Sequence, residues 1–140
     1  MPECRPRPDL VRATAAVALV LVAVSCTGAS PSEPTSSGLV DIAVGLCSAA
    51  EATDVSSATN AFREVHGPLH DLADQTAQVD RSVAARLLRA KQQVEAAIDR
   101  TAEAQELQSL LKELASGAAA ALVTLDLTPP AECAALEQPS

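Results

Sequence analysis

Between Leu39 and Leu125 the apolar residues recur at intervals of three and four, and no run alternates with a period of two. That pattern confines the chain to helices, because only a 3.6-residue period returns side chains to one face at such spacings. Leu39, Ile42, Ala43, Leu46, Ala49 and Ala50 share the face of a first helix, which Thr53 to Ser57 interrupts with helix-capping residues. Phe62, Val65, Leu69, Leu72 and Ala73 mark a second helix. Gly67-Pro68 falls inside it and predicts a kink or split there, with Pro68 suited to a first helical turn. Asp80 is placed to cap a third helix, faced by Val83, Leu87, Ala90, Val94, Ala97, Ile98 and Thr101. A fourth presents Leu107, Leu110, Leu111, Leu114, Ala118, Ala121, Leu122 and Leu125. At about 100° per residue the faces of the third and fourth helices differ by roughly 140°, so the chain must break near Thr101. The second and third stay in phase through Thr76 and Val79, and their boundary rests on Asp80 alone. Four amphipathic segments with short connections predict an all-α fold, an up-down antiparallel bundle of about four helices over residues 39–127.

Composition narrows what such a bundle does. The chain has one Phe, no Trp and no Tyr, so it lacks the aromatic faces on which bases or sugars stack. Its net charge of −8 repels phosphate backbones, and nucleic acid is not expected as a partner. No GxSxG, phosphate-cradling glycine loop or CxxCH is present, and an enzyme is not expected.

The first 25 residues are of another kind. Arg5, Arg7 and Arg12 precede an apolar run from Ala13 to Val24, broken only by Thr14 and followed by Ser25-Cys26. This is the build of a secretory signal peptide, and the run is shorter than the roughly 20 residues that a spanning helix needs. Secretion after simple cleavage and an uncleaved anchor are the alternatives that the residues leave open. Val22-Ala23-Val24-Ser25-Cys26 resembles the lipobox of bacterial lipoproteins. The resemblance implies a signal peptide over 1–25, lipidation of Cys26 as the mature N-terminus, and attachment to the extracytoplasmic face of the cell membrane. Residues 26–38, rich in Ser, Thr and Pro, read as a flexible tether. The segment Phe62 to Ala73, FREVHGPLHDLA, further resembles a pattern in small uncharacterised actinobacterial helical lipoproteins; it implies no activity. Together these features predict a binding or accessory module acting through contacts with an envelope protein.

Two sets of side chains carry candidate chemistry. With Cys4 in the leader and Cys26 implied as lipidated, Cys47 and Cys133 remain as a pair. In an oxidising compartment they predict a disulfide tying the tail, 128–140, to the first helix, both at the domain's edge; free thiols or metal ligands are the alternative. His66 and His70 stand four residues apart, and Asp74 continues the row. Two imidazoles and a carboxylate are a donor set for a divalent metal, which gives a metal-binding accessory protein as the alternative function. Gly67-Pro68 lies between the histidines, though, and is expected to disturb their common face. His70 also falls about 110° from the centre of the apolar stripe. Arg86, Arg89 and Arg100 form a basic stripe with Gln93, read as a solvated face before a docking surface, and Glu103, Glu106 and Glu113 read as surface charge.

Overall fold

The computed structural model describes residues 35–134, so the leader, Cys26, most of the tether and residues 135–140 lie outside the described residues. Six helices follow one another: α1 (Ser36–Glu51), α2 (Val55–His66), α3 (Pro68–Val79), α4 (Arg81–Asp99), α5 (Ala104–Thr124) and α6 (Ala131–Ala134). No strand occurs among the described residues. The protein is all-α.

Cap chemistry sets each boundary. The Thr35 hydroxyl accepts the Gly38 amide at 3.3 Å, so α1 begins inside the segment expected to be tether. Residues 36–38 are exposed or half-buried and form a helical turn without adding a large apolar contact. Their apolar spacing therefore carried no signal, and the bound of 38 expected for the tether falls inside α1. Asp54 caps α2, its carboxylate accepting the Ser57 amide at 2.9 Å and the Ser57 hydroxyl at 2.7 Å. Asp80 closes α3 with extended backbone (φ −142°, ψ 102°) and caps α4 by accepting the amides of Ser82 and Val83. That settles the boundary which phase alone left open. Hydrogen bonds from these serines and backbone amides hold both aspartates below the ordinary carboxylate pKa.

Gly67 joins α2 to α3 with right-handed helical backbone (φ −65°, ψ −56°). Pro68 has no N–H to return to the preceding turn, so the hydrogen-bond ladder is interrupted while the helical path continues. Pro68 occupies the first turn of α3, and α2 and α3 make one jointed rod. The expected four-rod bundle thus contains five long helices plus the short α6.

The break at Thr101 has a specific geometry. Thr101 is left-handed (φ 54°), its amide donates to the Ile98 carbonyl at 3.0 Å, and the Ala102 amide donates to Ala97 at 2.9 Å. This double closure is the Schellman arrangement, usually supplied by glycine. Asp126 (φ 57°) ends α5 in the same way, with the Leu127 amide donating to Leu122.

The rods form a closed ring in which α1 touches α2 and α5, while α4 touches α3 and α5. The Gln108 side-chain amide near the start of α5 donates to the Ala52 carbonyl at the end of α1, which fixes these two as antiparallel. All six residues expected on the first helix's face are buried, and so are Leu69, Leu72, Leu87, Leu107, Leu111, Leu114 and Leu122. Many core positions are Ala, which brings helix axes close. At Gly45 an added Cβ would collide with Val65 Cγ1, so glycine sets the α1–α2 approach.

Cys47 and Cys133 are joined, with Cα atoms 5.5 Å apart. Their position differs from the expected edge. Both residues are buried, at 1% and 5% exposure, and belong to the core. In an antiparallel bundle α5 ends beside the start of α1, whereas Cys47 lies three turns into α1. The segment after Leu127 therefore folds back along α5, through Pro129 and Pro130, until α6 delivers Cys133 beside Ala43 and Cys47.

Candidate functional site

The most chemically loaded cluster lies where α2 meets α4. Glu95 points at α2 and its Oε1 accepts from two donors: His66 Nε2 at 2.6 Å and Lys91 Nζ at 2.7 Å. Lys91 is 5% exposed, one of three polar residues buried among the described ones, with Thr59 and Thr76. A buried ammonium without a carboxylate would be costly, so Glu95 neutralises it while linking α2 to α4. Burial raises the Glu95 pKa, but hydrogen bonds and charge from Lys91 and His66 outweigh that effect and hold it below the ordinary glutamate value. An ionised carboxylate only accepts, so His66 Nε2 is the donor in this contact.

The histidines share a face after all. Because Gly67 keeps right-handed helical backbone, the spacing of four survives the Gly67-Pro68 joint. His66 stacks edge-to-face on Phe62 (centroids 5.6 Å apart) and on His70 (5.8 Å). The row therefore runs Phe62, His66, His70, and its last member is exposed. Asp74 follows one turn later, exposed, and makes no hydrogen bond or ion pair among the described residues. The side chain that meets His66 is Glu95, and no three His, Cys, Asp or Glu side chains converge as a metal donor set among the described residues.

A cleft of about 380 Å³ opens over this cluster, lined by Phe62, Arg63, His66, Glu95, Ile98 and Asp99. Its floor is apolar and its rim mixes both signs of charge, a character suited to a polar protein segment or a small zwitterion. Arg86, Arg89 and Gln93 are exposed on α4, and Arg100 pairs with Glu106 across the α4–α5 turn. Glu103 takes the N-cap position of α5 without a side-chain cap bond, and Glu106 lies in its first turn, where the helix dipole favours a negative charge.

Sequence reasoning missed Lys91 and Glu95. Lys91 stands four residues after Leu87 and three before Val94, directly on the apolar stripe, with Glu95 at i+4. A lone lysine inside such a stripe, followed by an acid one turn later, was the available signal. No protein-family model, no curated protein and no solved structure matches this chain.

Proposed function

We propose that the chain is exported, held at the membrane by lipid on Cys26, and acts on the extracytoplasmic side as a binding or accessory module through contacts with an envelope protein. The observation that carries this reading is the buried Cys47–Cys133 disulfide, a bond that persists in oxidising compartments and is rare in the cytosol. The leader from Arg5 to Cys26 supports the same address. Among the described residues no helix is long and apolar enough to cross a membrane, so in this reading attachment falls to the lipid. The mixed-charge cleft between α2 and α4 is the surface best furnished for a protein contact.

Detergent phase partitioning tests the address. The wild type is expected with membranes and labelled by fatty acid, while Cys26→Ala accumulates as unlabelled precursor. A mutant that is processed and partitions like the wild type would remove Cys26 as acceptor. Crosslinking in intact cells tests the role, with a repeatable envelope partner expected for the wild type and lost on Arg63→Glu; recovery of background alone would sink it.

A further inference from the structure

The cleft over Glu95 has a neighbour with different chemistry. Ser56, Thr59, Asn60 and Arg63 recur at helical spacing on one face of α2, and all four border a cleft of about 350 Å³. The rest of its lining comes largely from the end of α4 and the start of α5. There Ala97 and Leu107 are buried, and Ile98 and Ala102 are half-buried. Arg63 is the single charge among the lining residues, and it has no ion-pair partner among the described residues. No acid lines the cleft, in a chain whose net charge is −8.

Thr59 supplies a second, independent observation. It is 8% exposed, yet its hydroxyl makes no hydrogen bond among the described residues. Thr76 and Thr124, by contrast, donate to the carbonyl one turn back. No side-chain oxygen sealed from solvent lacks a partner among the described residues, so the Thr59 hydroxyl keeps an opening, and the cleft that Thr59 borders supplies it. A nearly buried donor without a partner costs stability that a bound acceptor would restore.

We propose that this cleft binds a monocarboxylate carrying a short apolar chain. The Arg63 guanidinium pairs with the carboxylate, the Asn60 amide and Thr59 hydroxyl donate to it, and the chain lies on Ile98, Ala102 and Leu107. One cation matches one negative charge. A phosphate dianion would leave charge unpaired beside an apolar wall. The acidic surface elsewhere repels such an anion, so this cleft is where it gains most. A free short-chain acid and the C-terminal residue of a peptide present the same chemistry. The inference stands on the folded bundle. It depends neither on lipidation at Cys26 nor on an envelope contact at the cleft over Glu95, which Thr59 does not border.

Amide NMR titration of the full isotope-labelled chain in neutral detergent tests it, at neutral pH, with hexanoate and hexanamide as probes. Saturable shifts at Thr59, Asn60 and Ala102 are expected for hexanoate, with a Kd on the order of 1 mM. Hexanamide has the same shape without the charge and should bind about tenfold more weakly or worse. Arg63→Gln, at an exposed position, and Thr59→Val, nearly equal in volume, should each weaken hexanoate about tenfold. N-acetyl-Ala-Leu with a free C-terminus separates the two sources. Tighter binding than hexanoate assigns a peptide end, and weaker binding assigns a free acid. Equal affinities for hexanoate and hexanamide overturn the proposal, and this comparison needs no variant. Unchanged hexanoate affinity in either variant, with helical circular dichroism intact, overturns it too. So does the absence of saturable shifts up to about 50 mM hexanoate.

Discussion

The seam between α1 and α5 and the seam between the α2–α3 rod and α4 solve the same packing problem with different chemistry. The residues that α1 and α5 bury are all Leu, Ile, Ala or Cys. Across the bundle, α2, α3 and α4 bury Thr59, Thr76 and Lys91 as well, and a carboxylate is spent on holding the lysine. The first seam is apolar and alanine-rich, and α1 is joined covalently to α6 at the end of the segment that returns along α5. The second holds an ion cluster beside a jointed rod, under an open cleft. The contrast assigns permanence to one side and adaptable surface to the other, because polar clusters and interrupted hydrogen-bond ladders open at lower free energy than dry cores.

The largest effect that can break this contrast is removal of the covalent lock. The bond closes a loop spanning a sequence separation of 86, which the chain-entropy model values at about 4 to 5 kcal/mol. Reduction, or Cys133→Ser, should lower the urea-unfolding free energy by that order and speed amide exchange first in α6 and the neighbouring turns of α1. Exchange that quickens first at α2 instead would show that the weak side lies across the bundle even when the lock is lost. Because both sulfurs are buried, native protein should also react slowly with mild thiol reductants.

Two glycines sharpen the comparison at the next scale. Gly45 faces Val65, whose branched side chain is stiff in a helix, so Gly45→Ala forces α1 and α2 apart. A cost of about 1 to 3 kcal/mol is expected, as for other overpacked sites. Gly117 faces Leu87 with 3.5 Å to the nearest atom from an added Cβ, an ordinary contact. Gly117→Ala should therefore stabilise by about 0.5 to 1 kcal/mol through helix propensity alone. Thermal denaturation of the two variants should move in opposite directions; parallel shifts would mean that the helix spacing is not set by Gly45.

How far each seam was legible follows from the same chemistry. The dry faces announce themselves, because a 3.6-residue apolar period is a local property; every α1 position from Leu39 to Ala50 that the pattern selected is buried. The turn at Thr101 was legible as a phase change, and Asp80 only as a cap, since the apolar stripe runs through it unbroken. Glu95 was not legible, because its role depends on His66, 29 residues away in sequence, and on a lysine that an apolar pattern overlooks. Nor was the return of the tail. A segment containing Pro129-Pro130 carries no period, and its path is set by where Cys47 waits. Gly67 cut the other way: its sequence neighbourhood suggested a disturbed histidine face, while its backbone keeps right-handed helical angles and preserves the row.

The smallest expected effect is also the one that separates the seams most cleanly, because it acts on charge alone. Glu95 has its pKa lowered in the folded state from an ordinary 4.5. A depressed carboxylate contributes stability that is fully present above its unfolded pKa and is lost as pH falls through the folded value. Acidification from pH 6 should therefore weaken the α2–α4 contact once pH drops below 4.5, as Glu95 protonates and Lys91 is left buried beside a neutral acid. The carboxyl is partly open to water, at 34% exposure, so screening keeps the effect well below that of the disulfide. Amide exchange followed against pH should show α2 and the first turn of α3 loosening while α1 and α5 hold. Glu95→Gln should flatten that dependence without altering protection in α5. Equal acid loosening of both seams in the wild type would mean that the difference between them is one of composition only, with no consequence for how the bundle opens.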